Sequence, residues 1–136
     1  MDRTVTTAPA APLSRLNKAG LVLAFLLGLF DATGFLWPTA TTSDGRQAPP
    51  FDALMLGTVL GVITMVAAVI AWRTHRRSAF RVAAAARIIS AIAALPAFFV
   101  GVPAWLQATA GVFVVLTVVA VVMMLAPRRQ TGPVTD

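Results

Sequence analysis

Four apolar stretches dominate this chain, at about Ala19–Trp37, Ala53–Trp72, Val82–Val100 and Ala104–Ala126. Each is close to the ~20 residues that a helix needs to cross a ~30 Å hydrocarbon core. A chain of 136 residues with a mean hydropathy of +0.83 lies far outside the soluble range, and a soluble core could not absorb four such runs. In lipid a backbone must satisfy its own hydrogen bonds, which leaves helices or a closed barrel. Val-rich segments such as Val112–Val122 would read as strand in water. Barrel strands, however, are only about half as long as these runs. The expectation is an all-α, membrane-embedded four-helix bundle over residues 18–127. A flexible tail (residues 1–17) precedes it and a short polar tail (residues 128–136) follows it.

Charge then orients the bundle. One set of flanks collects Arg3, Arg15, Lys18, Arg73, Arg76, Arg77, Arg81, Arg128 and Arg129, whereas the other holds Arg46 alone. Positive charge is retained on the cytoplasmic side, so both termini are expected inside (N-in/C-in). The tryptophans agree: Trp37 and Trp105 fall at the outer boundary and Trp72 at the inner one, where indoles favour the interface. The net charge of +6 therefore needs no nucleic acid to explain it. Anionic lipid headgroups are the expected counter-charge, at about 1 kcal/mol per juxtamembrane cation. The absence of cysteine excludes disulfides and thiolate metal sites. Ten arginines against one lysine, with abundant Ala, Val and Gly, fit a GC-rich bacterial genome and hence a bacterial plasma membrane. The first run carries Asp31, is too long for a secretory h-region and lacks a small-x-small cleavage site, so it is expected to stay as a helix.

The connections are short. Pro38–Asp52 holds Pro38, Gly45, Pro49 and Pro50 and should be irregular and exposed. Arg73–Arg81 forms a basic second loop, and Gly101–Pro103 an uncharged third, with Pro103 suited to a helix start. Helices in lipid associate through close packing, which favours small residues at their contacts. The first run supplies Gly20, Ala24, Gly28 and Ala32; the second supplies Gly57 and Gly61, extended by Ala53, Thr64 and Ala68. The third offers Ala83, Ser90, Ala91 and Ala94, opposed by Ile89, Ile92 and Phe99. The fourth, rich in β-branched residues, should face lipid most. Pro96 removes the N–H that would bond the Ile92 carbonyl and predicts a kink.

Two charges fall within the runs. Asp31 lies in the small-residue stripe of the first helix and should face the bundle interior. It is a candidate intramembrane proton or cation site, a hydrogen-bonded tie to a neighbouring helix, or an intersubunit contact, with the tie the favoured reading. Arg87 is on the small-residue face of the third helix. Counted from Arg81 it stands only ~9 Å inside the inner boundary, whereas Asp31, counted from Lys18, stands ~20 Å inside. That ~10 Å difference favours an Arg87 that snorkels back to the headgroups over one that pairs directly with Asp31. His75 stands in an arginine-rich loop with no carboxylate or cysteine beside it, so neither a metal nor a cofactor is expected.

The segment Arg87-Ile-Ile-Ser-Ala-Ile-Ala-Ala-Leu-Pro-Ala-Phe-Phe-Val, followed by Gly101-Val-Pro-Ala, resembles small four-helix membrane proteins of actinobacteria that have no assigned function. The resemblance implies a four-span fold in a bacterial plasma membrane and carries no catalytic residue across. A non-enzymatic accessory protein is the leading expectation. It would bind another membrane protein, or a second copy of itself, through small-residue helix faces. The alternative is a minimal proton-coupled transporter using Asp31. Small multidrug-resistance transporters also have four short spans and an acid in the first, but here the acid is Asp, sits beyond the helix midpoint and lacks aromatic surroundings. One inward Asp and one Arg without a nucleophile–base pair fall short of any reaction class.

Overall fold

The computed structural model describes residues 12–128. Most of the N-terminal tail and the C-terminal tail from residue 129, with Arg3 and Arg129, lie outside the described residues. Among the described residues four α-helices form: α1 (Arg15–Ala32), α2 (Phe51–Thr74), α3 (Arg77–Ala94) and α4 (Ala104–Leu125). Three segments of the described residues, Phe51–Thr74, Arg77–Phe98 and Ala104–Leu125, are long and apolar enough to cross a membrane. Helix α1 carries Arg15, Lys18 and Asp31 within its 18 residues.

The helix ends follow local chemistry more than the apolar runs do. Helix α1 begins one turn before its run because Ser14 caps it. The Ser14 hydroxyl accepts from Asn17 N–H (3.1 Å), and Asn17 Oδ1 accepts from Ser14 N–H (3.3 Å). This reciprocal pair satisfies two donors that a bare helix start leaves orphaned. At the other end, the Thr33 hydroxyl donates to the Leu29 and Phe30 carbonyls, and the chain tightens into a 3-10 turn over Gly34–Leu36. Helix α2 runs to Thr74, and only His75 and Arg76 separate it from α3. His75 makes the reversal in the left-handed region, with φ 54°. The nine-residue basic loop read from the sequence is thus largely helical, with Arg73 on the last turn of α2, Arg77 and Arg81 on the first turns of α3, and Arg76 in the turn between them. Pro96 ends α3 instead of kinking it. Leu95 N–H takes the Ile92 carbonyl, and Leu95–Phe98 continues as a 3-10 turn.

The Pro38–Asp52 connection is more ordered than its prolines and glycine suggest. Strand β1 (Ala40–Thr41) pairs antiparallel with β2 (Gln47–Ala48), in the register Ala40↔Ala48 and Thr41↔Gln47. Buried Thr42 organises the turn: its hydroxyl accepts from Arg46 N–H and bonds the Asp44 carboxylate, which holds that carboxyl below its usual range. Ser43 N–H then donates to the Gly101 carbonyl (3.3 Å), docking the hairpin on the α3–α4 turn.

Helix α1 packs on α2 and α4, and α3 packs on the same two, so the helices form a ring with α1 and α3 on a diagonal. At one end the start of α1, the α2–α3 turn and the end of α4 meet. Asn17 Nδ2 lies 3.1 Å from the Met123, Met124 and Ala126 carbonyls, and Arg128 donates to the His75 carbonyl (3.2 Å). The hairpin and the α3–α4 turn close the other end. The core is built from small residues: Ala24, Ala71, Ala83 and Ala120 are fully buried, with Leu21, Phe80 and Met124 filling between them. Helix α4 buries just Thr117, Ala120 and Met124, fewer residues than any other helix, in keeping with its expected exposure.

Candidate functional site

Close backbone approach between α1 and α2 sets up the site. A Cβ at Gly28 would lie 2.9 Å from the Gly61 carbonyl oxygen. One at Gly61 would lie 2.7 Å from Ala32 N and 2.9 Å from Asp31 Cβ. Gly20 makes the matching contact with α4, where a Cβ would meet Met124 N at 2.7 Å. Gly20, Gly28 and fully buried Ala24 belong to the first-helix stripe read from the sequence, and Gly61 to the pair read in the second helix; Ala32, at the last residue of α1, is half-buried. Gly57 departs from that reading, because a Cβ there would meet nothing within 4 Å. Gly61 already faces the last turn of α1. One turn nearer the hairpin α1 has ended, and Gly57 has no helix to pack against.

Held against Gly61, Asp31 points across the bundle. Arg87 Nη1 donates to Asp31 Oδ2 at 2.7 Å, and the Ser90 hydroxyl donates to the same oxygen at 2.6 Å. Arg87 Nη2 donates to the Thr117 hydroxyl of α4 at 3.2 Å, and its guanidinium lies 4.8 Å from the Phe113 ring centre. The guanidinium is 0% exposed, and the Asp31 side chain 12%. One cation thus joins α1, α3 and α4, and the two helices that barely touch on the diagonal are linked through it. Arg87 Nε has no hydrogen-bond partner.

This corrects the expectation that Arg87 snorkels to the headgroups. Counts from Lys18 and Arg81 do not start from one plane, because α1 begins at Arg15 and α3 at Arg77. Counted from those helix starts Asp31 is ~24 Å in and Arg87 ~15 Å in, so the difference stays near ~9 Å. The pairing rests on the reach of the long arginine side chain, which meets the carboxylate at 2.7 Å. Ser90, one turn above Arg87, lies level with the carboxylate.

Sequence reasoning placed Asp31 and Arg87 on inward faces but missed the residues that satisfy them. Thr117 and Phe113 lie in a run that reads as uniformly apolar, and a threonine there carries no periodic signal. Asn17 was also missed. It is fully buried, and its amide donates to three carbonyls at the end of α4 while its oxygen caps α1. The pattern Ser14-x-x-Asn17 before an apolar run carried the capping half of that role. Among the described residues no three His, Cys, Asp or Glu side chains gather as a metal would require. His75 sits half-buried at the α2–α3 turn, with its carbonyl engaged by Arg128.

Chemically the cluster is a charge-compensated crosslink. It has a carboxylate, a guanidinium and two hydroxyls, but no nucleophile next to a base. No family model, curated protein or solved structure matches the chain.

Proposed function

We propose that the chain is a four-span protein of the bacterial plasma membrane with both termini in the cytoplasm. Within it, the Asp31–Arg87 crosslink serves as scaffold for a non-enzymatic accessory protein that recognises a membrane partner helix to helix. The observation that carries this reading is the inverted polarity of the bundle. Asn17, Thr64, Arg87, Ser90 and Thr117 are buried, whereas Val59, Val66, Ile92, Val115 and Val122 face outward. In water that arrangement would expose the apolar surface and desolvate a cation at once; in lipid the apolar exterior is favourable and the paired interior is the least costly place for the cation. Helix α1 joins the other three as a span because Asp31 is compensated internally, leaving Arg15 and Lys18 at the headgroups. The apolar run also continues through the 3-10 turn to Trp37.

Cations and aromatics support the orientation. Arg15, Lys18, Arg73, Arg76, Arg77 and Arg81 are exposed at the end shared by the start of α1 and the α2–α3 turn. Phe35, Leu36, Trp37, Phe51, Phe99 and Trp105 are exposed toward the hairpin end. The native chain has no cysteine, so single cysteines test this directly. Ser43→Cys should react with an impermeant maleimide on intact spheroplasts, and Ser78→Cys only after permeabilisation. The reverse pattern overturns the topology.

Partner recognition is supported by what the bundle leaves free. Gly20, Gly28 and Gly61 are consumed inside the chain, whereas Gly57 is open to a second helix. Purification in mild detergent should recover a defined complex that Gly57→Leu disrupts; recovery of free monomer alone overturns the accessory reading. One observation favours a proton-coupled transporter: the Asp31 side chain keeps 12% of its surface exposed. Proton-coupled uptake in proteoliposomes that survives Asp31→Asn would remove that alternative.

A further inference from the structure

Two grooves of the same size, about 280 Å³ each, run along the outside of the bundle. The one between α3 and α4, lined by Ile88, Ile92, Val118 and Val122, contains no charged residue. The one between α1 and α2 is walled by Phe25, Val22 and Val69 and ends on Trp72 and Arg73. Its α2 wall from Ala68 to Trp72 rises ~6 Å, so it takes the first few carbons of a chain whose head lies at the arginine.

Six cations at that end, Arg15, Lys18, Arg73, Arg76, Arg77 and Arg81, are all exposed and have no carboxylate partner among the described residues. Of the described acids, Asp31 is held by Arg87, Asp44 pairs with Arg46 in the hairpin, and Asp52 is in the first turn of α2 at the far end. A guanidinium offers planar, paired donors suited to a phosphate, and the Trp72 indole favours the same interfacial depth.

We infer that the α1–α2 groove is a binding site for an anionic phospholipid of the cytoplasmic leaflet, with one acyl chain seated between Phe25 and Val69 and the phosphate on Arg73. The inference rests on the membrane placement proposed above. The uncharged α3–α4 groove is its internal control.

Native mass spectrometry of the full chain in mild detergent, titrated with phosphatidylglycerol, phosphatidylcholine or glycerol phosphate, tests the site. Phosphatidylglycerol should be retained about fivefold better than phosphatidylcholine, near the effect of one interfacial cation. Arg73→Gln should abolish that preference, and Arg81→Gln should keep it. Val69→Trp, at a half-exposed position, should fill the groove and reduce retention of both lipids, whereas Val118→Trp should not. A preference that survives Arg73→Gln, or that falls equally with Arg81→Gln, overturns the site in favour of diffuse rim charge. Glycerol phosphate binding as tightly as the lipid overturns the acyl-chain contribution. Alkaline extraction separates the two levels of failure: a chain washed from the membrane defeats the membrane reading. One that stays embedded without lipid preference defeats this inference alone. Wild-type-like gel-filtration profiles for Arg73→Gln and Val69→Trp keep the comparison valid.

Discussion

A guanidinium with no solvent access is tolerable only where its charge and its donors are met, and for Arg87 most of that need is met from two other helices, α1 and α4. Asp31 compensates the charge, and Thr117 and the Phe113 face take the far edge. Removing one member is therefore worse than removing both. Asp31→Ala should cost about 3–5 kcal/mol, because it strands a buried cation. The Asp31→Ala/Arg87→Met double variant should cost less than the sum of the singles, with a coupling of about 2 kcal/mol. Unfolding in mixed micelles measures the cycle, and strict additivity would mean the crosslink carries no stability. The two charged residues were legible from sequence, since carboxylate and guanidinium are conspicuous in apolar runs. Their contact was not, because it depends on the relative height of α1 and α3 and on the reach of the arginine side chain, neither of which counts from flanking cations can fix. Thr117 was illegible for a different reason: a hydroxyl in a β-branched helix is marked only by what faces it.

At the scale of the helices, glycine acts by position more than by motif. Gly57 and Gly61 form one GxxxG, yet Gly61 is pressed against the α1 backbone and Gly57 faces open space. Gly61→Ala should destabilise by about 1–3 kcal/mol through overpacking. Gly57→Ala should stay within about 0.5 kcal/mol of the native chain. Thermal melts followed by circular dichroism in detergent rank the two, and an equal loss at both would show that the motif acts as a unit. The sequence made all four helices legible because each apolar run is long and uninterrupted. Boundaries moved by several residues where capping decided them: Ser14 extends α1 backward, and Pro96 stops α3 at Ala94. The β1–β2 pair escaped notice because two-residue strands are too short to show alternation.

Over the whole molecule, Asn17 closes the ring by tying the first turn of α1 to the last turn of α4. Three carbonyls at a helix end otherwise have no intrahelical donor. Asn17→Ala should cost about 1–3 kcal/mol and speed amide exchange in the last turn of α4. Asn17→Asp should not rescue it, since a carboxylate cannot donate. Unchanged exchange in α4 would detach Asn17 from that role. The overall arrangement, a ring of four helices with short connections, was legible in the number and spacing of the runs; this closing tie was not, because its two ends are more than a hundred residues apart. The crosslink also bears on how such a chain is made. Asp31 leaves the ribosome 56 residues before Arg87. At bacterial synthesis rates of about 5–20 residues per second, that is a wait of roughly 3–11 seconds. During that interval the first helix carries an uncompensated acid, so on the proposed topology it stays beside the insertion machinery until the third helix emerges, and the two are released into lipid together.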